Sequence, residues 1–567
     1  MNGFNQLQWE DWAVLCLTLL FIVLYGTYKN RKQTNVQDYV KGGNSSKWWT
    51  IGLSVMATQA SAITFLSTPG QAFHSGMGFV QFYFGVPIAM VVICLVFIPL
   101  YHRLKVFTAY EYLENRFDKK TRVLTAILFL VQRGLAAGIT IFAPAIILSA
   151  VLGWNLTLLN IIIGVLVIIY TVSGGTKAVS MTQKHQMAII FTGMFTAFFI
   201  ILSYLPDDIT FSKAIKIAGA SGKMEVLDFS FDFNNRYTVW SGLIGGTFLA
   251  LSYFGTDQSQ VQRYLSGKSV KEMQLGLLFN GLLKVPMQFF ILLVGVMVFV
   301  FYQFNSSPLN FNPASEKAIT QSSYEASYEK LKSEQNAVFE HKQSLVLAYA
   351  KNPSSTIEAE IAQANARDRE LRNQAQDLIS KASNELDVKV ETNDKDYVFI
   401  HFILNNLPKG LIGLLLAVIL SAAMSSTASE LNALASTTAL DIYKRNSSKP
   451  LNDVQMVIVT KWFTLAWGIL AIIIACVAYL ADNLIQLVNI IGSLFYGNVL
   501  DIFLLGFFFK LIKANAVFVS AILTQLIVIG LYFLDRYELI NLPYLWLNFV
   551  GCMIVMVLAH LIPKQKG

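Results

Sequence analysis

The sequence predicts an all-α polytopic membrane protein with about thirteen transmembrane helices, and three observations carry that prediction. Of 567 residues, 54% are hydrophobic and only 14% charged, against roughly 25% charged in a typical soluble domain. Thirteen stretches are long and apolar enough to cross a bilayer, which takes about 20 residues each. Lysine and arginine concentrate in alternate short loops, which fixes an orientation. The mean hydropathy of +0.52 agrees. Disorder, a collagen-like repeat and a disulfide scaffold are excluded as descriptions of the whole chain.

The predicted spans are 12–28, 49–68, 79–100, 123–149, 156–173, 186–205, 238–255, 277–303, 408–439, 457–480, 484–509, 515–533 and 544–562. The first is no cleavable leader, because Glu10 and Asp11 stand where a basic region belongs. The loop after it carries Lys29, Arg31, Lys32, Lys41 and Lys47. With the alternate loops that follow, and with Lys449, Lys564 and Lys566, that side carries 24 basic residues. The short loops opposite carry 5: Lys213, Lys216, Lys223, Arg236 and Arg536. Thirteen spans then place the N-terminus outside and the C-terminus in the cytoplasm of a cell (inner) membrane.

A net charge of +8 and a pI of about 9.0 would also suit nucleic-acid binding. Here the basic residues lie in loops between apolar stretches, so no nucleic-acid partner is expected. Cys16, Cys94, Cys476 and Cys552 sit inside apolar stretches with no CxxC or paired histidine, and read as small membrane hydrophobes.

One hydrophilic segment, 304–397, interrupts the pattern with 15 acidic and 11 basic residues. Its stretch 314–386 is rich in Ala, Glu, Lys, Gln and Ser, and Pro353, Ser354 and Ser355 divide it. A helical hairpin on the outer side is expected. It is either a docking or lid element for an outer partner or a solvated extension without a direct role, and the second is the expectation.

Polar residues where lipid belongs mark the functional centre, since they persist only where protein or water surrounds them. The second span reads SVMATQASAITFLSTPG from Ser54 to Gly70. Such a run suits close helix packing, or an unwound helix whose free carbonyls hold a cation. The seventh span, Gly245 to Gln258, ends in a Gly–Thr–Asp break. Spans two to six and seven to eleven form two five-helix units of opposite topology, each opened by an interrupted helix, as in inverted-repeat transporters. In the ninth span, Ala422, Ser425 and Ser426 share one helix face. Two hydroxyls with carbonyls suit Na⁺, or serve as packing glue. Arg133, Lys284 and Asp501 are charges inside apolar segments and are functional candidates by cost alone. Asp501 could instead face cytoplasmic water, and Lys284 could pair with a helix end.

At these residues the sequence resembles the sodium/solute symporter family, from about residue 10 to 560 apart from 304–397. The motifs are WWTIGLSVMATQASAITFLSTPG (48–70), TAYEYLENRF (108–117), IFAPAIILSAVLGW (141–154), GGTKAV (174–179), QVQRYLSGKS (260–269), SSTASELNALAS (425–436), DIYK (441–444) and IGSLFYG (491–497). The details are most similar to the branch of monocarboxylate, multivitamin and iodide symporters. The resemblance implies a five-plus-five inverted repeat, the leucine-transporter-like fold, working by alternating access. The chain would then divide into an extra helix and loop (1–44), a first repeat (45–206), an outer loop (207–237), the start of a second repeat (238–303), the insert (304–397), the rest of that repeat (398–510) and two C-terminal helices (511–567).

The resemblance also implies residues. A sodium site would use carbonyls of Ala57, Ala60 and Ala422 and the hydroxyls of Ser425 and Ser426. A solute cavity would use Gln59, Thr64, Phe82, Tyr83, Tyr253, Lys284 and Asn489, with Tyr253 as inner gate. Sugar-carrying members have Gln, Glu and Asn where this chain has Thr64, Tyr83 and Ala250, so an organic acid or other small polar solute is expected before a sugar. Most members carry Thr–Asp where this chain has Thr182–Gln183, which points to one sodium per cycle. Glu430 stands where the family has a small or apolar residue, and either faces a cytoplasmic vestibule or restores that lost charge. Gln183, Glu430, Arg133 and Asp501 are thus the coupling candidates. Sodium-coupled import of a small organic solute is the expected function, with no cofactor besides Na⁺ and the bilayer as surroundings. Sugar symport and proton coupling are the alternatives. No Walker, HExxH, GxSxG or redox motif appears, so no enzyme activity is expected. A sensor on a transporter fold would need a signalling domain, and only five residues follow the last span.

Overall fold

The computed structural model describes residues 7–29, 35–232, 235–388, 390–447, 451–478 and 484–562. Arg31, Lys32, Lys449, Lys564 and Lys566, used above for orientation, lie outside the described residues. The main helices are α1 (Trp9–Lys29), α2 (Trp48–Gln59), α3 (Ala62–Ser75), α4 (Met77–Leu104), α5 (Lys119–Leu152), α6 (Leu156–Ser203), α7 (Gly246–Gly255), α8 (Gln258–Tyr264), α9 (Val270–Phe304), α10 (Glu325–Lys351), α11 (Ser355–Glu385), α12 (Leu411–Thr437), α13 (Asp453–Val477), α14 (Leu484–Phe508), α15 (Ala514–Arg536) and α16 (Tyr544–Leu561).

Each predicted span falls on a helix. Among the described residues nine helical stretches are long and apolar enough to cross a membrane, and α2 with α3 makes a tenth, bent by 62°. Two shorter apolar helices, Leu156–Ile169 and Ser241–Gly255, and α1 cover the remaining predicted spans. Polar caps start the long helices where charge meets apolar sequence. Asp118 accepts from the Thr121 amide at 2.8 Å at the start of α5, and Asn452 with Gln455 forms a capping box before α13.

The sequence suggests a loop at 174–185, between the fifth and sixth spans. In the structure two helices within Leu156–Ser203 meet instead at a single kink, at Gly175 (φ 55°, ψ −165°). Only glycine adopts that backbone at low cost. The turn is therefore one residue long, and Thr182 and Gln183 sit on helix rather than loop.

Helix α12 is the central strut, buried along nearly its whole length. It packs on α6, α1, α5, α13 and α2. The broken pair α2–α3 packs on α9. Outside the membrane core, α10 and α11 pair through Tyr328, Leu371, Ala375 and Ile379. The chain returning from this hairpin rests on the end of α3. His74 meets Asp394 at 3.3 Å, and a Cβ on Gly70 would overlap the carbonyl oxygen of Lys395.

Candidate functional site

The break in the second span is local chemistry made visible. Ser and Thr side chains compete with the backbone for its hydrogen bonds, as Thr58 does at the Ser54 carbonyl at 2.8 Å. At Ala60 the backbone leaves the helix (ψ 77°). The Ser61 amide donates to the Gln59 carbonyl at 3.1 Å, instead of to Ala57 four residues back, which frees the Ala57 carbonyl. The Ser425 hydroxyl on α12 donates to that carbonyl at 3.2 Å. One residue on, Ser426 donates to the Ala422 carbonyl at 3.0 Å. Ala57, Ala60, Ala422, Ser425 and Ser426 are all buried. The set supplies neutral hard oxygens, the donors a weakly charged alkali cation accepts.

Gln183 of α6 closes one side of this centre. Its Nε2 donates to Ser425 Oγ at 2.9 Å, Ser429 Oγ at 3.0 Å and Thr58 Oγ1 at 3.0 Å. Its Oε1 accepts from the Ser54 hydroxyl. One NH₂ thus sits among three hydroxyl oxygens drawn from two helices.

Beside the break lies a cavity of about 90 Å³. Gln59, Thr64, Phe82, Tyr83, Tyr253 and Asn489 line it, which brings together six of the seven residues named for the solute. Ser426 reaches its wall as well, so the two candidate sites adjoin. Lys284 does not line it. Its ammonium lies 5.2 Å from the centre of the Tyr83 ring.

Arg133 and Glu430 form the opposite wall with Thr140 and Tyr496. Arg133 donates to Glu430 at 3.1 Å, to the Tyr496 hydroxyl at 2.7 Å, and to Asp257. Thr140 donates to the second Glu430 oxygen at 2.9 Å. Asp257 also accepts from Ser259 and caps α8. Glu430 therefore lines the cavity as part of a buried ion cluster. Asp501 lies elsewhere, fully buried between α14 and α16, where Cys552 donates to it at 3.5 Å. It faces no water.

Asp257, Thr58, Ser54, Ser429, Thr140 and Tyr496 were not singled out from the sequence. Asp257 stood in the Gly–Thr–Asp break, and an acid at a helix break inside a membrane segment was its signal. Ser429 lies four residues from Ser425, on the same face.

A model of the sodium:solute symporter family matches residues 39–329 and 382–524. Among curated relatives, the mouse sodium-coupled monocarboxylate transporter 2 is 31% identical over 48% of this chain and 44% of its own length. The human sodium/iodide cotransporter is 31% identical over 52% of this chain and 45% of its own. The matched part thus spans less than half the length of these relatives. The sodium/sialic acid symporter SiaT of Proteus mirabilis (strain HI4320) is 26% identical over 96% of this chain and 93% of its own. A solved structure of a Na⁺-coupled sialic acid symporter in a substrate-bound outward-open state superposes with a TM-score of 0.76 at 24% identity, covering 98% of this chain and 99% of that one. The leucine-transporter-like fold is shared with it.

Proposed function

Because the chain belongs to the sodium:solute symporter family, we propose that it imports a small organic solute together with Na⁺ by alternating access. The observation that carries this reading is the Ala57 carbonyl, released at the helix break and met by Ser425. Na⁺ in place of that hydroxyl proton would bridge α2 and α12, taking oxygens from Ala57, Ala60, Ala422, Ser425 and Ser426. Bridging two helices lets the ion favour one arrangement of the bundle over another. The adjoining cavity then receives the solute, and by reciprocity the solute tightens sodium binding.

One sodium per cycle follows from Gln183, whose NH₂ already fills the neighbouring group of hydroxyls. The solute is an organic acid or similar small polar molecule rather than a sugar. Thr64 and Tyr83 line the cavity where the sugar-carrying pattern has Gln and Glu, and the relative named for monocarboxylates points the same way. The cavity volume of about 90 Å³ is well below the roughly 300 Å³ of a drug-sized site, which suits a small solute. The N-terminus faces outward and the C-terminus the cytoplasm, in the cell (inner) membrane. The hairpin α10–α11 is then an outer extension, and an outer partner is not required for transport.

The test is uptake into proteoliposomes holding the purified protein. An inward Na⁺ gradient should drive accumulation of a radiolabelled organic acid, while an equal choline gradient should not. Accumulation driven equally by a proton gradient without Na⁺ would overturn the reading.

A further inference from the structure

A larger cavity lies apart from the solute site and shares no lining residue with it. Its volume is about 970 Å³, at the upper end of the roughly 300–1,000 Å³ of small-molecule sites. It sits where three membrane-crossing helices end together. α14 stops at Phe508, α15 starts at Ala514 and α16 stops at Leu561. Helix ends of this kind lie at the level of the lipid headgroups.

The turn between α14 and α15 is held firmly from within. Arg116, from the TAYEYLENRF motif, donates through Nε to the Gly506 carbonyl at 3.1 Å. Its Nη2 donates to the Phe509 and Ile512 carbonyls at 2.9 and 3.5 Å. A guanidinium on these carbonyls also offsets the negative end of α14. The turn reads Lys510–Leu511–Ile512–Lys513. Ile512 is buried, whereas Leu511 is 75% exposed between two exposed lysines.

Charge and shape in the cavity agree. Lys510, Lys513 and His560 line it, and among the described lining residues there is no carboxylate. The first turn of α15 lines it too, which adds the positive end of that helix. The remaining wall is apolar and includes Phe509, Ala516, Val519 and Ala559. From Val519 an exposed apolar stripe continues along α15 through Ile522, Leu523 and Leu526. Steps of three, four and seven residues keep these on one helix face. The stripe leads from the cavity toward the middle of the membrane.

We propose that this cavity holds one anionic phospholipid, with its phosphate between Lys510 and Lys513 and an acyl chain along Val519 and the stripe beyond. A zwitterionic lipid would bring its own ammonium into a site lined by cations. A soluble anion would leave the apolar wall and stripe uncovered. An anionic phospholipid satisfies both, and basic residues at a membrane surface favour such headgroups. The bound lipid would fix one end of α14, the helix that carries Asn489 and Tyr496 to the solute cavity.

The experiment strips the full chain of lipid in detergent and offers equimolar phosphatidylglycerol and phosphatidylcholine with identical acyl chains. Native mass spectrometry counts the lipid that stays bound. The wild type should retain one phosphatidylglycerol in preference to phosphatidylcholine. Lys510→Gln/Lys513→Gln should cut that preference about 30-fold, the factor expected for two basic residues at a membrane surface. Lys268→Gln/Lys271→Gln, an exposed pair with the same spacing elsewhere, should leave it intact. Val519→Trp keeps both lysines but fills the cavity, and should lose the lipid. A wild-type melting transition without added lipid shows that each variant is folded. The inference is overturned if the wild type shows no preference, or if the Lys510/Lys513 or the Val519 variant keeps it. Displacement of the lipid by inorganic phosphate alone would also overturn it. So would retention only after residues 563–567 are deleted, which would make the chain's own tail the occupant. None of these outcomes touches the symport reading.

Discussion

The side-chain amide of Gln183 donates to the hydroxyl of Ser425 at 2.9 Å. Through this bond a residue of α6 completes the wall of the candidate sodium site on α12. The same NH₂ reaches Thr58 and Ser429, so three helices meet at one nitrogen. In the proposed one-sodium cycle, this NH₂ stands where a second cation would otherwise find hydroxyl oxygens.

Replacing Gln183 by Asp should open that place. The donor is lost, and a carboxylate joins Thr58, Ser425 and Ser429. Stability plotted against the logarithm of Na⁺ concentration should then rise with about twice the wild-type slope, the linkage expected for two ions instead of one. An unchanged slope in a folded variant removes Gln183 from the account.

Glu430 lies one helical turn from Ser426 and holds Arg133 together with Asp257. Glu430→Gln leaves Arg133 paired, so folding should be nearly unaffected. Sodium affinity should fall about tenfold, the order given by one charge roughly 10 Å away at an effective dielectric constant of about 20. Arg133→Met behaves differently, because it strands two buried carboxylates. A loss of about 3–5 kcal/mol is expected, read as a fall in melting temperature or in folded yield. Equal behaviour of the two variants in both assays would contradict the charge arrangement.

Gly70 passes directly under the carbonyl of Lys395. Gly70→Ala should push the returning strap off the end of α3 at a cost of about 1–3 kcal/mol. The melting temperature should drop, and protease nicking between 386 and 397 should increase. No change in either would mean that strap and helix do not press on one another.

The hairpin α10–α11 carries its own pH dependence. Burial alone would raise the Asp368 carboxyl, but Arg372 and then Lys342 outweigh it and hold it at about 2. Its unfolded value is about 3.9. The folded pKa is the lower one, so this contribution is full above about pH 4 and is lost as pH falls towards 2. Pepsin cleavage within 325–385 should rise over that window. In Asp368→Asn the hairpin should be cut readily already at about pH 4.5 and respond less to further acid.

The fold was legible because its signals are dense. Apolar runs of span length and alternating loop charge leave little freedom, and the helices fall where those runs lie. Gly175 shows the limit. A glycine pair with nearby lysines reads as a loop, but a single glycine in an unusual backbone state suffices for the turn, and the ladder continues on both sides. At the site, the Ala and Ser positions and six cavity residues follow from helix periodicity and family motifs. Asp257 did not, because it comes from a different segment and meets Arg133 only after folding. Lys284 was named for the cavity but sits behind Tyr83, a matter of side-chain direction that spacing cannot specify. The contact of 394–395 with α3 was likewise hidden, since nothing local in 386–397 says what it will rest against.

A sodium ion held between α2 and α12 is the centre of the proposed mechanism. Purified protein is titrated with NaCl against choline chloride at constant ionic strength, and the melting temperature is followed for wild type and for Ser425→Ala/Ser426→Ala. Wild type should gain about 1.4 kcal/mol at a tenfold excess over Kd, specifically in sodium, and the double variant should gain nothing. A wild-type protein equally stable in choline, or a variant that keeps the full sodium gain, would contradict the assignment of the ion to this site.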